Sequence, residues 1–201
     1  MELVYEELAP GIIVFKNVFP EEIHLTLIPE IEEAAESGLA PWHEASVRDN
    51  GANKVNKAVR DNKSTSFPYS YSAVNAGSPR ENLFEKMSSL FCEGLDPIEK
   101  KYMSMFGISF YDHDSYTVLK YGIDQKFINH IDDHTNYPRR ISMVYYINDD
   151  YEGGEIVFPR FNVSYKPKAN EVIFFPSSYT YNHSVLPVKS GLRYAVVSWI
   201  H

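Results

Sequence analysis

Residues 119–132 read Leu119-Lys120-Tyr121-Gly122-Ile123-Asp124-Gln125-Lys126-Phe127-Ile128-Asn129-His130-Ile131-Asp132. Its ending sets the question. On a β-strand, residues i and i+2 share a face, so His130 and Asp132 can reach one ion from adjacent rungs. His183 is placed to approach from another strand, and Arg193 follows it. Two imidazoles and a carboxylate occupying one triangular face leave three coordination positions open, the ligand set of a non-haem Fe(II) site. A downstream cation suits a ligand that carries a second, remote carboxylate.

Other histidines compete for the same role. His134 continues the same-face series, but four residues of strand span about 13 Å. Metal–imidazole bonds are only about 2 Å long, so His130 and His134 share an ion only if the chain bends. His24 falls on an expected helix and His43 follows Pro41-Trp42. His113, in Asp112-His113-Asp114, is the best of these decoys. Taken alone, an H-x-D pair also describes an ordinary surface pair.

Working outward, residues from about 108 onward alternate short β-rich runs with turn signals. The runs are 116–120, 141–147, 155–158, 172–175, 184–188 and 194–200. Several short strands of this kind indicate a sandwich or barrel. Arg193, Ala195, Val197 and Trp199 share one strand face, and Ser142, Val144 and Tyr146 share another. If both faces line the barrel, the Tyr146 and Ser142 hydroxyls stand near Arg193.

The N-terminal half reads differently. Residues 11–19 form an expected strand. A helix opens at Pro20 with Glu21 and Glu22 near its positive end, is kinked or divided at Pro29, and fades at Ser37-Gly38. A second helix is capped by Ser78, starts at Pro79 and presents Leu83, Phe84, Met87, Leu90 and Phe91 on one face. Gly94 is expected to stop it, and Asp96-Pro97 to start a shorter one ending near Phe106. Residues 46–66 are polar and Asn-rich, which predicts a mobile loop: either plain solvated chain or a lid over a substrate. The organisation expected is one α+β domain over 1–201, with a helix-rich support (1–107) and a β core (108–201).

Composition bounds the rest. The chain has 201 residues, 44% hydrophobic, with 15 Tyr and 12 Phe, enough for one sizeable sheet-rich core. Its net charge of −8 opposes loose binding to phosphate backbones, leaving the basic residues of 46–66 as a local exception. Cys92 is the only cysteine, so an intrachain disulfide and a thiolate cluster are excluded. The N-terminus shows no signal-peptide pattern, and no apolar run reaches the roughly 20 residues that cross a bilayer. A soluble cytoplasmic protein without membrane partners is expected.

The stretch 119–132 resembles the metal-binding segment of the prolyl 4-hydroxylase-like branch of the Fe(II)/2-oxoglutarate dioxygenases. Four further segments fit in the same order: 139–148, then Glu152-Gly153-Gly154-Glu155 with Phe158-Pro159, then Lys166-Pro167-Lys168 with Phe174-Phe175-Pro176, and 183–199. The likeness is close over 119–200 and loose before it, through Val59-Arg60-Asp61-Asn62-Lys63-Ser64. It implies a double-stranded β-helix, or jelly roll, with the N-terminal helices packed on one sheet. By the same resemblance His130, Asp132 and His183 match the iron ligands and Arg193 the residue that anchors 2-oxoglutarate. Tyr121 matches a tyrosine of the cosubstrate pocket. Arg139, Trp199 and His201 are expected near the substrate at the barrel mouth; a surface arginine at a strand start is the plainer reading of Arg139.

The implied reaction consumes 2-oxoglutarate and O2, with Fe(II) and an accessory role for ascorbate, and hydroxylates a prolyl residue in a protein or peptide. Two alternatives stand beside it. One is the same chemistry on another side chain, a free amino acid or an alkylated base. The other is a non-catalytic binding module of this fold, against which the intact ligand set argues.

Overall fold

The computed structural model describes residues 3–49, 52–68, 77–109, 112–133 and 138–201. Strands β1 (Tyr5–Ala9) and β2 (Ile12–Lys16) precede helices α1 (Glu21–His24) and α2 (Leu27–Glu36). Then come β3 (His43–Glu44), β4 (Val47–Asp49), β5 (Ala52–Lys54), β6 (Lys63–Phe67) and the long α3 (Pro79–Phe106). The remainder is strand: β7 (Tyr116–Tyr121), β8 (Phe127–His130), β9 (Ile141–Tyr146), β10 (Glu152–Gly153) and β11 (Ile156–Phe158). It ends with β12 (Val163–Tyr165), β13 (Glu171–Pro176), β14 (His183–Val185), β15 (Val188–Ser190) and β16 (Arg193–Ile200).

Two antiparallel sheets carry the site. The larger runs β1-β2-β13-β9-β16-β7-β6-β3 and the smaller β12-β11-β14-β8. Side-chain alternation divides the core into two layers. Ile13, Phe15, Val118, Met143, Tyr145, Phe174 and Val196 point outward onto α2 and α3, where they meet Ile31, Phe91, Leu95 and Tyr102. Their neighbours Ile12, Val14, Leu119, Val144, Tyr146, Phe175 and Val197 point inward, against Ile156, Phe158 and Val185 of the smaller sheet. The inner layer is the inside of a jelly roll, and the helices cover the outer face of one sheet. A fully buried Phe or Val on either layer contributes about 1.5–3 kcal/mol.

The helices depart from expectation at three places. The break comes at Leu25-Thr26, and Pro29 lies in the first turn of α2, where backbone N–H groups have no helical partner to lose. Helix α3 runs unbroken past Gly94 and Pro97. Gly94 serves packing: a Cβ there would sit 2.0 Å from Phe19 Cε1. The expected start and end do form, with a Ser78–Glu81 capping box and Gly107 left-handed at the C-cap.

The described residues of 46–66 (46–49 and 52–66) are more ordered than a structureless loop. β4 pairs with β5 as a hairpin, and β6 is the neighbour of β7 in the larger sheet. Between them, residues 59–61 hydrogen-bond to the outer edge of β8: Asp61 N donates to Lys126 O and Ile128 N to Val59 O, both at 2.9 Å.

Candidate metal centre and its cavity

His130 and His183 are direct cross-strand partners on β8 and β14. Asp132 lies just past the end of β8 and turns back toward both rings. Its Oδ1 is 3.5 Å from His130 Nε2, and its Oδ2 is 3.7 Å from His183 Nε2. One ligand atom from each of the three falls within 4.8 Å of the others. Atoms bound about 2 Å from one ion at right angles stand about 3 Å apart, so a small contraction brings this set onto a single metal.

The surroundings prepare these groups. His130 Nδ1 lies 2.8 Å from Ile128 O, and His183 Nδ1 lies 3.1 Å from Tyr181 O. Donation to those carbonyls puts the proton on Nδ1 and leaves each Nε2 lone pair for an ion. Burial pushes the His183 imidazole down to about 4, against the attraction of Asp132. Burial pushes the Asp132 carboxyl up, but His183, His130 and a hydrogen bond from Ser142 outweigh it and hold the group well below the usual carboxylate range. A neutral imidazole and an ionised carboxylate are the ligating forms.

Ser142 is where the sequence reading needs correcting. Register places it opposite Trp199 and Phe175, at the far end of β16 from Arg193. Its Oγ donates to Asp132 Oδ2 at 2.7 Å and stands 2.8 Å from Ser177 Oγ. It therefore orients the carboxylate, while Tyr146 alone of the two stays near Arg193. The decoy histidines are also accounted for. His24 pairs with the Tyr145 hydroxyl, His43 is exposed on β3, and His113 is 3.1 Å from Glu99. His134 lies outside the described residues.

The three ligands line a cavity of about 980 Å³ that also takes in Arg193, Tyr121, Tyr146, Arg139 and Trp199. Arg193 is 1% exposed and pairs in register with Tyr121. Its Cζ is 4.9 Å from the Tyr121 ring centre and 5.1 Å from that of Tyr146. Among the described residues its Nε and Nη1 make no hydrogen bond of good geometry, and neither do the buried hydroxyls of Tyr146 and Tyr151, although the guanidinium lies close enough to both phenols to interact with them. Burial raises both phenols and keeps them protonated, with the guanidinium pulling the other way. A buried cation with unmet donors, beside two unmet hydroxyls, matches a carboxylate.

Tyr151 was not singled out from sequence. Lys166 Nζ donates to Tyr151 O and Gly153 O, both at 2.9 Å, and fixes that turn. Gly154 lets the turn close on the cation, since a Cβ would lie 2.9 Å from Arg193 Cδ at a φ of +65°.

The mouth is built from other groups. Arg139 Cζ stands 3.6 Å from the Trp199 ring centre, and Nε and Nη2 both donate to Asp114 Oδ2, at 3.1 and 2.9 Å. His201 Nε2 lies 3.1 Å from the other oxygen of Asp114. Ser46, Val47 and Asn53 bring the β4–β5 hairpin to the same cavity.

A jelly roll with a His-Asp-His cluster beside a buried arginine has counterparts among known proteins. Residues 116–201 match the model of the 2OG-Fe(II) oxygenase superfamily. A PKHD-type hydroxylase of Crocosphaera subtropica is 40% identical over 55 residues, covering 26% of this chain and 24% of that protein. Human prolyl 3-hydroxylase 2 is 39% identical over 66 residues, covering 30% of this chain and 9% of that protein. The chain thus spans about a quarter or less of the length of these curated relatives. Two solved structures share the fold. One is a Trichoplax adhaerens prolyl hydroxylase in complex with a hypoxia inducible factor peptide fragment (TM-score 0.71, 18% identity, 94% of this chain and 83% of that one). The other is a Pseudomonas putida prolyl-4-hydroxylase (TM-score 0.70, 17% identity, 95% and 92%). Residues 116–201 are thus similar to the 2OG-Fe(II) oxygenase superfamily, and the fold of the chain is that of these solved prolyl hydroxylases.

Proposed function

We propose that the chain is a single-domain 2-oxoglutarate-dependent dioxygenase that hydroxylates prolyl residues of a protein or peptide. The supporting observation is Arg193, buried with unmet donors in the same cavity as the His-Asp-His cluster. In this reading His130, Asp132 and His183 hold Fe(II), and Ser142 keeps the Asp132 carboxylate turned toward it. Arg193, with the Tyr146 hydroxyl and the Tyr121 ring, receives the far carboxylate of 2-oxoglutarate. Arg139 and Trp199 form the platform on which the peptide lies.

Fe(II) bound with 2-oxoglutarate supplies the oxidation, in which a C–H bond and O2 become C–OH while 2-oxoglutarate leaves as succinate and CO2. The protein's share is orientation. The neutral Nε2 atoms and the ionised carboxylate present three donors on one side, leaving the opposite side to the reactants. Arg193 fixes the length of cosubstrate accepted, because its fork is rigid and buried. Val144, Ile156, Val185 and Val197 line the cavity with apolar surface and limit water around the reacting groups.

Two of the five cations of the basic loop favour peptide over nucleic acid. Lys57 is paired with Glu44 at 2.9 Å, and Arg60 is engaged with Asn62, Ser46 and Phe127. These cations are already committed within the protein. Ascorbate is expected to sustain turnover by keeping the iron reduced, and a reducing cytoplasmic setting would do the same. Among the described residues no helix is long and apolar enough to cross a membrane.

The test is incubation with Fe(II), 2-oxoglutarate, ascorbate and a library of proline-containing peptides. Mass spectrometry should find one added oxygen on proline, matched by succinate, and chromatography then assigns the 3- or 4-position. Succinate formation stimulated only by another substrate class would overturn the prolyl assignment.

A further inference from the structure

The two histidines of the proposed iron site are held in different ways, and the difference gives Arg60 a role. His183 sits on β14, between β11 and β8, with its ring centre 4.7 Å from Phe175 and 5.6 Å from Phe158. The core immobilises it. His130 sits on β8, the edge strand of the smaller sheet, and its side chain is 16% exposed against 6% for His183.

A bulge supplies the support that the edge lacks. Register runs His183↔His130 and then Val185↔Phe127, so one residue on β14, Ser184, faces two on β8, Ile128 and Asn129. The extra residue puts Phe127 and His130 on one face, and their rings stack with centres 3.5 Å apart and planes 14° apart. Beside the imidazole stacked on it, Phe127 also carries Arg60 over its ring, with Cζ 4.9 Å from the ring centre. Arg60 is itself anchored: Nε donates to Asn62 Oδ1 at 3.0 Å and Nη1 to Ser46 O at 3.4 Å. Asn62 is 1% exposed, and residues 59–61 are hydrogen-bonded along the β8 edge.

We propose that Arg60 is a positioning residue for the metal: the Arg60–Phe127 stack clamps the imidazole plane of His130 so that its Nε2 stays aimed at the ion. The inference rests on the iron reading above. Arg60 lines the same cavity, and its effect on the metal runs through Phe127. Outer partners that orient metal ligands change metal affinity by about 10- to 100-fold when removed.

The test is titration of the metal-free protein with Mn(II), read by electron paramagnetic resonance of the free ion, beside thermal melts of the metal-free variants. Arg60→Ala and Phe127→Leu should each weaken Mn(II) about 10-fold. Arg60→Lys and Phe127→Tyr, which keep a cation and an aromatic face, should recover most of the affinity. Lys57→Ala, in the same segment but facing Glu44, should bind Mn(II) like the parent. Phe127→Leu leaves Arg60 in place, so it carries the test if Arg60→Ala does not fold. Parental Mn(II) affinity in Arg60→Ala and Phe127→Leu would overturn the clamp and leave the iron reading standing. A parent chain that binds no Mn(II) or Fe(II) at all would instead overturn the iron reading.

Discussion

Arg193 and Arg139 stand at opposite ends of one cavity and are solved in opposite ways. Arg139 is half-buried, stacked on Trp199 and paired twice with a single Asp114 oxygen. Arg193 is buried among tyrosine rings, with two nitrogens that make no hydrogen bond of good geometry among the described residues. A satisfied arginine at a rim shapes a surface. An unsatisfied one in the interior costs stability unless a ligand supplies the missing acceptor. In the function proposed above, the contrast would separate a platform for a large substrate from a socket for a small anion.

The largest effect expected is at the socket. Arg193→Met should weaken 2-oxoglutarate binding on the order of 100-fold, as expected for losing charge-assisted hydrogen bonds worth about 1.5–3 kcal/mol each. The same variant should melt no lower than the parent when ligand-free, because it removes a buried unpaired charge. Calorimetric titration and thermal melts check the two signs together.

Gly154→Ala tests the socket from behind. Its Cβ would press on Arg193 at a backbone angle that disfavours side chains. An approximately tenfold loss of 2-oxoglutarate affinity is expected, with a stability loss of about 1 kcal/mol or more. At the rim, Arg139→Ala should raise the peptide KM about tenfold, from loss of a packed cation–π contact, and leave 2-oxoglutarate affinity unchanged. Asp114→Asn should act at the same place but weakly, about threefold in peptide KM, since a partly exposed ion pair contributes only about 0–1 kcal/mol. If Arg139→Ala weakened 2-oxoglutarate instead, the division between rim and socket would fail.

What could be seen in the sequence follows from how local each feature is. The β-rich second half, the Ser78 cap of α3 and the inward faces of β9 and β16 follow short-range rules of period and capping. His130, Asp132, His183 and Arg193 stand out because their residue types and order are tied to one chemistry. Ser142 was misplaced because parity gives the face of a strand but not the distance along it; that needs the register with Trp199. Phe127 was invisible because a bulge breaks the two-residue period that makes a strand readable. Tyr151 and Arg60 act across connections between sheets, for which sequence spacing carries no signal. Pro29 and Gly94 misled because each residue's usual meaning depends on its position: the first turn of a helix for one, a packed ring for the other.

One ion and one dicarboxylate are expected to share this cavity. Anaerobic titration of the metal-free protein with Fe(II) and then 2-oxoglutarate tests this expectation most directly. One Fe(II) should bind per chain and be lost in His183→Ala, and 2-oxoglutarate binding should need both that iron and Arg193. Parental Fe(II) binding by His183→Ala, or 2-oxoglutarate binding that ignores Arg193→Met, would contradict it.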